Sequence, residues 1–416
     1  MITNIDKESH KSCKALRYIE LHLNSRILTY EFPHWQYIIL LQSLLSLHTI
    51  NISDNGNMTT QTVLIIGGGG AQGEPIVEGA KPGKNVNNDI KLTKRPSTQD
   101  LAKRGYNVRV LTRSDSTATA QHLASLPNVQ LHLGSSYDES TLRSAFRGVH
   151  LAFVNTNSFV IGIRNEVWWG IRTFEIAVQS GVQHFIWSSL DNYFHSERYD
   201  ESLRVSHYYG KGIVAQWMSA VPQTPMRWSI LTTGPYIETL SEFMRPVEED
   251  GVMVFRAPLA DGAVPFVHLG DLGFYVHWIF SHPDVSAGMN LKVAVEHVPF
   301  HDLAATFTEV TGKPARYENI SFEEYFTTGP LADVASFKLG AEGAGQDDPS
   351  LLTMRQNFTA WWRLYQLSGG NTGLIQRDYA LLDNIYPARV RSVKQWMENV
   401  GYTGEYEPVL KTYRAA

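Results

Sequence analysis

The chain has 416 residues, 43% of them hydrophobic and 19% charged, with a formal net charge of −5. That length accommodates one large α/β domain and a smaller second one, and the composition is that of a globular protein. The acidic balance gives no electrostatic case for nucleic acid or an anionic membrane, and Cys13, the one cysteine, allows neither an internal disulfide nor a cysteine-based metal site. No metal is therefore expected, and a reducing compartment fits, the cytoplasm first and the nucleus as an alternative.

Residues 1–57 differ from the rest of the chain. Pro33–Ile50 is apolar but interrupted by His34, Gln36, Gln42, Ser43, Ser46 and His48. It is too short and too polar for a membrane span and lacks a small-residue cleavage site. It reads as an extension outside the core, with Met58 as an alternative start.

The organising stretch is Thr62–Gly73, TVLIIGGGGAQG. Val63, Leu64, Ile65 and Ile66 predict a strand buried on both faces of a parallel sheet. Gly67, Gly70 and Gly73 then fall in a G-x-x-G-x-x-G spacing. Such a turn brings backbone N–H groups up to a pyrophosphate at the start of the next helix.

Residues 74–94 disturb that pattern. With two prolines, scattered glycines and no apolar period, they predict no helix directly after Gly73, and the helical pattern resumes only at Arg95. The residue that reads the cofactor ribose normally lies about 20 positions past the motif. Arg113 lies twice that far past Gly73, and removing residues 74–94 restores the usual spacing. The block reads as an insert, either a surface loop or sequence foreign to the mature chain, and it threatens the phosphate site.

From Asn107 strands and helices alternate. Strands are expected at Asn107–Thr112, Val129–Leu133, His150–Asn155, His184–Ser188 and Arg227–Thr232. Helices are expected around Leu142–Phe146, Glu166–Ser180 and Gly212–Ala220. This predicts an α/β fold with a doubly wound parallel (Rossmann) sheet over residues 58–235.

Residues 236–416 read as a smaller α+β lobe that binds substrate over the C-terminal strand ends. Its short strands are expected at Val252–Phe255, Val264–His268, Leu291–Val295 and Tyr317–Ile320, and its helices at Asp271–Phe280, His301–Thr311 and Val393–Val400. Gly340–Pro349 reads as a mobile loop, and Trp361 and Trp362 as core.

Several motifs resemble, in order, the NmrA-like family of atypical short-chain dehydrogenases: GGGGAQG at 67–73, VRVLTR at 108–113, VNTNSF at 154–159, GVQHFIWSSL at 181–190, YYGKG at 208–212, GPYIETL at 234–240 and VPFVHLGDLG at 264–273. The segment at 296–317 is similar to the family's fungal members. The resemblance runs from about Met58 to the end, residues 74–94 excepted. It implies an NAD(P)-binding domain with a substrate lobe. It also implies cofactor contacts from Gly67, Gly68, Gly69, Gly70, Ala71, Gln72 and Gly73, then from Arg113 and Ser114. Gly134 and Ser135 would lie near the adenine, a mild departure from the family's Gly-Asp. Thr156, Asn157 and Ser158 would pass beneath the nicotinamide ribose, with Lys211 and the turn Tyr236, Ile237, Glu238 and Thr239 closing that side.

Arg113 has its own physical argument. A guanidinium suits the 2′-phosphate of NADP(H), where a carboxylate would bind the 2′-hydroxyl of NAD(H). NADP(H) is therefore expected over NAD(H). The usual Tyr-x-x-x-Lys pair of short-chain dehydrogenases is here His207-x-x-x-Lys211. Tyr208 and Tyr209 stand at the wrong helical offset to substitute. Lys211 either acts as acid or base or merely bonds the cofactor ribose, and His207 is the second catalytic candidate. Ser188 and Ser189 are candidates to orient a carbonyl.

Two functions stay open. One is an NADP(H)-dependent oxidoreductase acting on a small organic molecule. The other is a non-catalytic NADP(H) sensor with a regulatory protein partner or a homodimer.

Overall fold

The computed structural model describes residues 61–78 and 101–410. The N-terminal extension, the alternative start at Met58, most of the insert and the first residues of the helix expected at Arg95 lie outside the described residues. Among the described residues no helix is long and apolar enough to cross a membrane.

The central sheet has seven parallel strands, β1 (Thr62–Ile66), β2 (Asn107–Thr112), β3 (Val129–Leu133), β4 (Leu151–Val154), β5 (His184–Leu190), β6 (Arg227–Thr233) and β10 (Asn290–Lys292). Their order is β10-β6-β5-β4-β1-β2-β3. The order reverses between β1 and β4, and a crevice opens beyond the carboxyl ends of strands at such a point. Period-two alternation sends Val63 and Ile65 of β1 into one apolar layer, with Leu64 and Ile66 in the other. The sequence places Leu291–Val295 in the C-terminal lobe. Instead Leu291 pairs with Leu231 at the sheet edge, so the chain returns to the sheet after leaving it.

The expectation of no helix after Gly73 is corrected. Gly73–Glu78 forms α1 at once, with Ile76 and Val77 fully buried. Pro75 is tolerated because it falls in the first turn, where its missing N–H has no helical partner. The backbone bonds then skip. Leu101 N–H donates to Ile76 O and Ala102 N–H to Val77 O, both at 3.4 Å. In an unbroken helix those carbonyls would meet the amides four positions on, at 80 and 81. The hydrogen-bond register is therefore that of a helix in which Leu101 and Ala102 follow Gly79 directly. The insert enters beyond the first turn, and the glycine turn and helix start are intact.

The remaining layers are α2 (Ala118–Ser125), α3 (Glu139–Ala145), α4 (Ser158–Gln179) and α5 (Ser206–Met218). α4 starts at Ser158 rather than at Glu166 and is broken at Gly162, where φ is +74°. Gly340 packs on that break and its amide donates to Phe159 O at 2.8 Å. The 340–349 segment is thus anchored rather than free.

The lobe has its own core. It holds a three-stranded sheet of β7 (Val247–Glu249), β8 (Val252–Ala257) and β12 (Ala315–Asn319), and the small pair β9 (Val264–Pro265) and β11 (His297–Val298). Helix α6 (Leu272–Ser281) packs on α1, while α7 (Phe300–Thr311), α8 (Met354–Gln366), α9 (Tyr379–Ile385) and α10 (Val393–Val400) complete the chain. A fully buried bidentate pair, Arg377 to Asp191 at 2.5 and 3.1 Å, ties the C-terminal segment to the end of β5.

Candidate functional site

A cavity of about 610 Å³ lies over the switch point. It runs from the glycine turn past the end of β2 to Lys211, and then to aromatic side chains of the lobe.

The glycines have distinct reasons. A Cβ at Gly67 would stand 2.6 Å from Asn155 O, and one at Gly73 would stand 2.3 Å from both Gly67 O and Gly68 Cα. Gly68 is pressed against Val110. Gly67 and Gly73 permit close backbone approach, Gly68 makes room for the Val110 side chain, and of the three Gly67 reaches the cavity wall. At Gly69 a Cβ would meet nothing within 4 Å, and Gly69, Gly70, Ala71 and Gln72 line the cavity. Gln72 is spent on the protein: Nε2 donates to Thr233 Oγ1 at 3.2 Å and to Tyr236 Oη at 3.0 Å, while Oε1 accepts from Ser188 Oγ at 2.7 Å.

Arg113 and Ser114 line the cavity at the end of β2. Arg113 is exposed and makes no ion pair among the described residues. Gly134 lines the wall, and its neighbours there are Ser136 and Tyr137. Ser135 does not; its hydroxyl accepts from Tyr137 N.

Thr156, Asn157 and Ser158, between β4 and α4, all line the cavity. Asn157 caps α4 by accepting from Phe159 N, and its own N–H donates to Tyr137 Oη at 3.0 Å. Burial pushes the Tyr137 hydroxyl up to about 12.

Lys211 is buried on the cavity wall. Nζ donates to Asn155 Oδ1 at 2.9 Å, Thr156 O at 2.8 Å and Thr156 Oγ1 at 3.1 Å, and lies 3.2 Å from Glu166 Oε1. Desolvation pulls its pKa down, and the Glu166 carboxylate opposes that.

His207, one helical turn before Lys211, also lines the cavity. Its ring lies 4.7 Å from Phe159, and Nδ1 is engaged by the Asn357 side chain. Burial drives its pKa to about 3, so the ring is neutral at pH 7. With Nδ1 occupied, Nε2 is the nitrogen available to a ligand.

Not every expected residue reaches the cavity. Tyr236 and Thr239 line it, but Ile237 is fully buried in the lobe core and Glu238 turns to bond His268 Nδ1 at 2.7 Å. Ser188 and Ser189 are buried and satisfied internally, so neither orients a ligand. Trp361 lines the cavity with Phe358 and Phe243, whereas Trp362 is core, because successive helix positions diverge by about 100°.

Sequence reasoning missed Asn155, Tyr137, Glu166, Phe159, Phe243 and the C-terminal Leu410, all on or beside this wall. Glu166 carried no local signal: its place in the buried stripe of α4 with Gly170, Thr173 and Phe174 follows from packing. Leu410 is held in place by Glu242, whose carboxylate accepts from the amides of Val409 and Leu410 at 3.2 and 2.9 Å. Among the described residues no Asp or Glu lines the cavity, and its charged side chains are Arg113 and Lys211.

The family model described as NmrA-like family matches residues 59–338. Among curated relatives, the NmrA-like family domain-containing oxidoreductase malD of Malbranchea aurantiaca is 28% identical over 227 residues, 51% of this chain and 67% of that protein. The similarly described himF of Aspergillus japonicus is 28% identical over 244 residues, 53% of this chain and 70% of its own. Among solved structures, NmrA, a negative transcriptional regulator in complex with NADP, superposes with a TM-score of 0.54 at 17% identity, covering 82% of this chain and 95% of that one. An NADPH-dependent quinone oxidoreductase of Escherichia coli gives 0.51 at 17% identity, covering 82% and 100%. At such identities the likeness shows the fold.

Proposed function

Because the chain belongs to the NmrA-like family, we propose that it is an NADP(H)-dependent oxidoreductase acting on a small organic molecule. The observation that carries this reading is the cavity's make-up. It opens at Gly69, is lined among the described residues by two cations and no carboxylate, and ends in an aromatic wall suited to a second ligand. The relatives named as oxidoreductases, and the neighbours described with NADP or NADPH, support it.

Bound NADP(H) would supply or accept a hydride at its nicotinamide. The chain's own residues do the rest. The backbone of the turn from Gly69 to Gln72 would seat the pyrophosphate, and Arg113 would take the 2′-phosphate through its donor fork. Lys211 holds Asn155 and Thr156 in place beneath the ribose. Phe159, Phe243, Phe358 and Trp361 would face the substrate, and His207 Nε2 would hydrogen-bond the reacting heteroatom, whose proton would come from solvent.

A specific observation favours the sensor reading as well: the Lys211 protons are all committed to protein acceptors, and position 207 carries no phenol. Fluorescence titration of the whole chain with NADPH and with NADH is the test. Tight NADPH binding followed by NADPH oxidation with carbonyl, quinone or imine compounds supports the enzyme. Nucleotide-dependent assembly without turnover supports the sensor. Binding of neither nucleotide refutes both.

A further inference from the structure

We infer that Glu166 is a positioning residue, which keeps Lys211 charged so that Lys211 can lock the Asn155–Asn157 segment against the bound dinucleotide. This rests on the reading of the cavity as an NADP(H) site.

The geometry is that of a dry, two-sided lock. The Glu166 side chain is fully buried. Oε1 accepts from Thr156 Oγ1 at 2.7 Å and lies 3.2 Å from Lys211 Nζ. Oε2 is buried and has no hydrogen-bond partner among the described residues. It is covered by α5, where a Cβ on Gly210 would stand 2.5 Å from it. A carboxylate with one oxygen unsatisfied is a poor choice for packing alone, and an apolar residue would fill the site more cheaply.

What the carboxylate supplies is charge. Lys211 has four acceptors within 3.2 Å, and it reaches three of them, Asn155 Oδ1, Thr156 O and Thr156 Oγ1, on the strand-to-helix segment. An ammonium donates three hydrogen bonds, and a neutral amine donates two. Loss of the proton therefore loosens the segment and removes one of the cavity's two cations. Among the described residues the titratable groups around Lys211 are Glu166 from α4 and His207 from its own helix. Tyr137 lies beyond Glu166, and the Trp187 ring from β5 lies 5.5 Å below Nζ. Glu166 is the one anion in that set, since His207 is neutral and Tyr137 is raised by burial.

The test is NADPH affinity of the full chain measured by fluorescence from about pH 6 to about pH 10. Wild type should show an alkaline limb as Lys211 loses its proton. Glu166→Gln, which keeps shape and removes charge, should move that limb down by about one to three pH units. Lys211→Met should bind weakly with no limb, and adding Glu166→Gln to it should change nothing more. A uniform loss in Glu166→Gln with the limb unmoved means a merely structural role and overturns the inference.

Should wild type bind no NADPH, the cavity reading fails, and the lock is then judged from thermal unfolding. An unpaired Lys211 has a folded pKa below its unfolded value, so Glu166→Gln should regain stability relative to wild type as pH rises towards about 10. A stability difference independent of pH overturns the inference by that route.

Discussion

Excision of residues 80–100 would join Gly79 directly to Leu101. The amides of Leu101 and Ala102 already bond the carbonyls that residues 80 and 81 would meet in an unbroken helix. Both side chains are buried in the same apolar layer as Ile76 and Val77. Removing this block therefore keeps those contacts while shortening the connection between them. If the intervening segment is flexible, the closure entropy for a chain of that length corresponds to about 2–3 kcal/mol, which for a domain of this size raises Tm by about 2–4 °C. Calorimetry of the shortened chain, with NADPH titration alongside, reads both effects. Excisions one position shorter or one position longer are the controls. Each would turn Leu101 and Ala102 by about 100° around the helix, out of the core. The reasoning is refuted if the 80–100 excision loses stability or NADPH binding, or if all three excisions behave alike.

Other expectations are as direct. Gly73→Ala places a methyl 2.3 Å from backbone on two residues of the turn, which cannot yield as a side chain would. NADPH binding should be lost, with stability falling by about 1–3 kcal/mol. Arg113→Glu should weaken NADPH binding by about 10- to 100-fold and NADH binding far less, as paired titrations would show. Burial lowers His207 to about 3 and His184, His277 and His297 to about 4, below the unfolded value near 6.5. In that window the unfolded chain binds more protons. Stability should therefore be full above about pH 6.5 and fall on acidification by about 1.4 kcal/mol per pH unit for each such histidine, as denaturant melts across pH would show. Replacing His184 with a neutral isostere should flatten that slope.

Strong local patterns were legible. The four apolar residues before Gly67, the basic end of β2 and the strand–helix alternation placed the sheet, the turn and Arg113, while the family resemblance placed Lys211. What escaped depends on tertiary context. Two apolar positions, Ile76 and Val77, are too few to reveal α1, whose partners Leu101 and Ala102 lie beyond the insert. β10 is only Asn290–Lys292, and nothing local says which sheet it joins. Ile237 and Glu238 sit in a 3₁₀ turn, where positions three apart share a face, so proximity in sequence placed all of Tyr236–Thr239 on a wall that only Tyr236 and Thr239 reach. Glu166 reads as one more solvated charge until α5 is laid over it, and the serines at the end of β5 read as free until Gln72 is seen to claim one.

The anchoring of Leu410 bears on how this protein is handled. Glu242 holds the backbone at Val409 and Leu410 while the Leu410 side chain forms part of the cavity wall. A purification handle or fluorophore joined just beyond Leu410 would be tethered beside the nucleotide's berth, where it would compete with the ligand in any titration. Labels belong elsewhere, and a reporter dye placed deliberately at that point would serve as a proximity gauge for occupancy of the cleft.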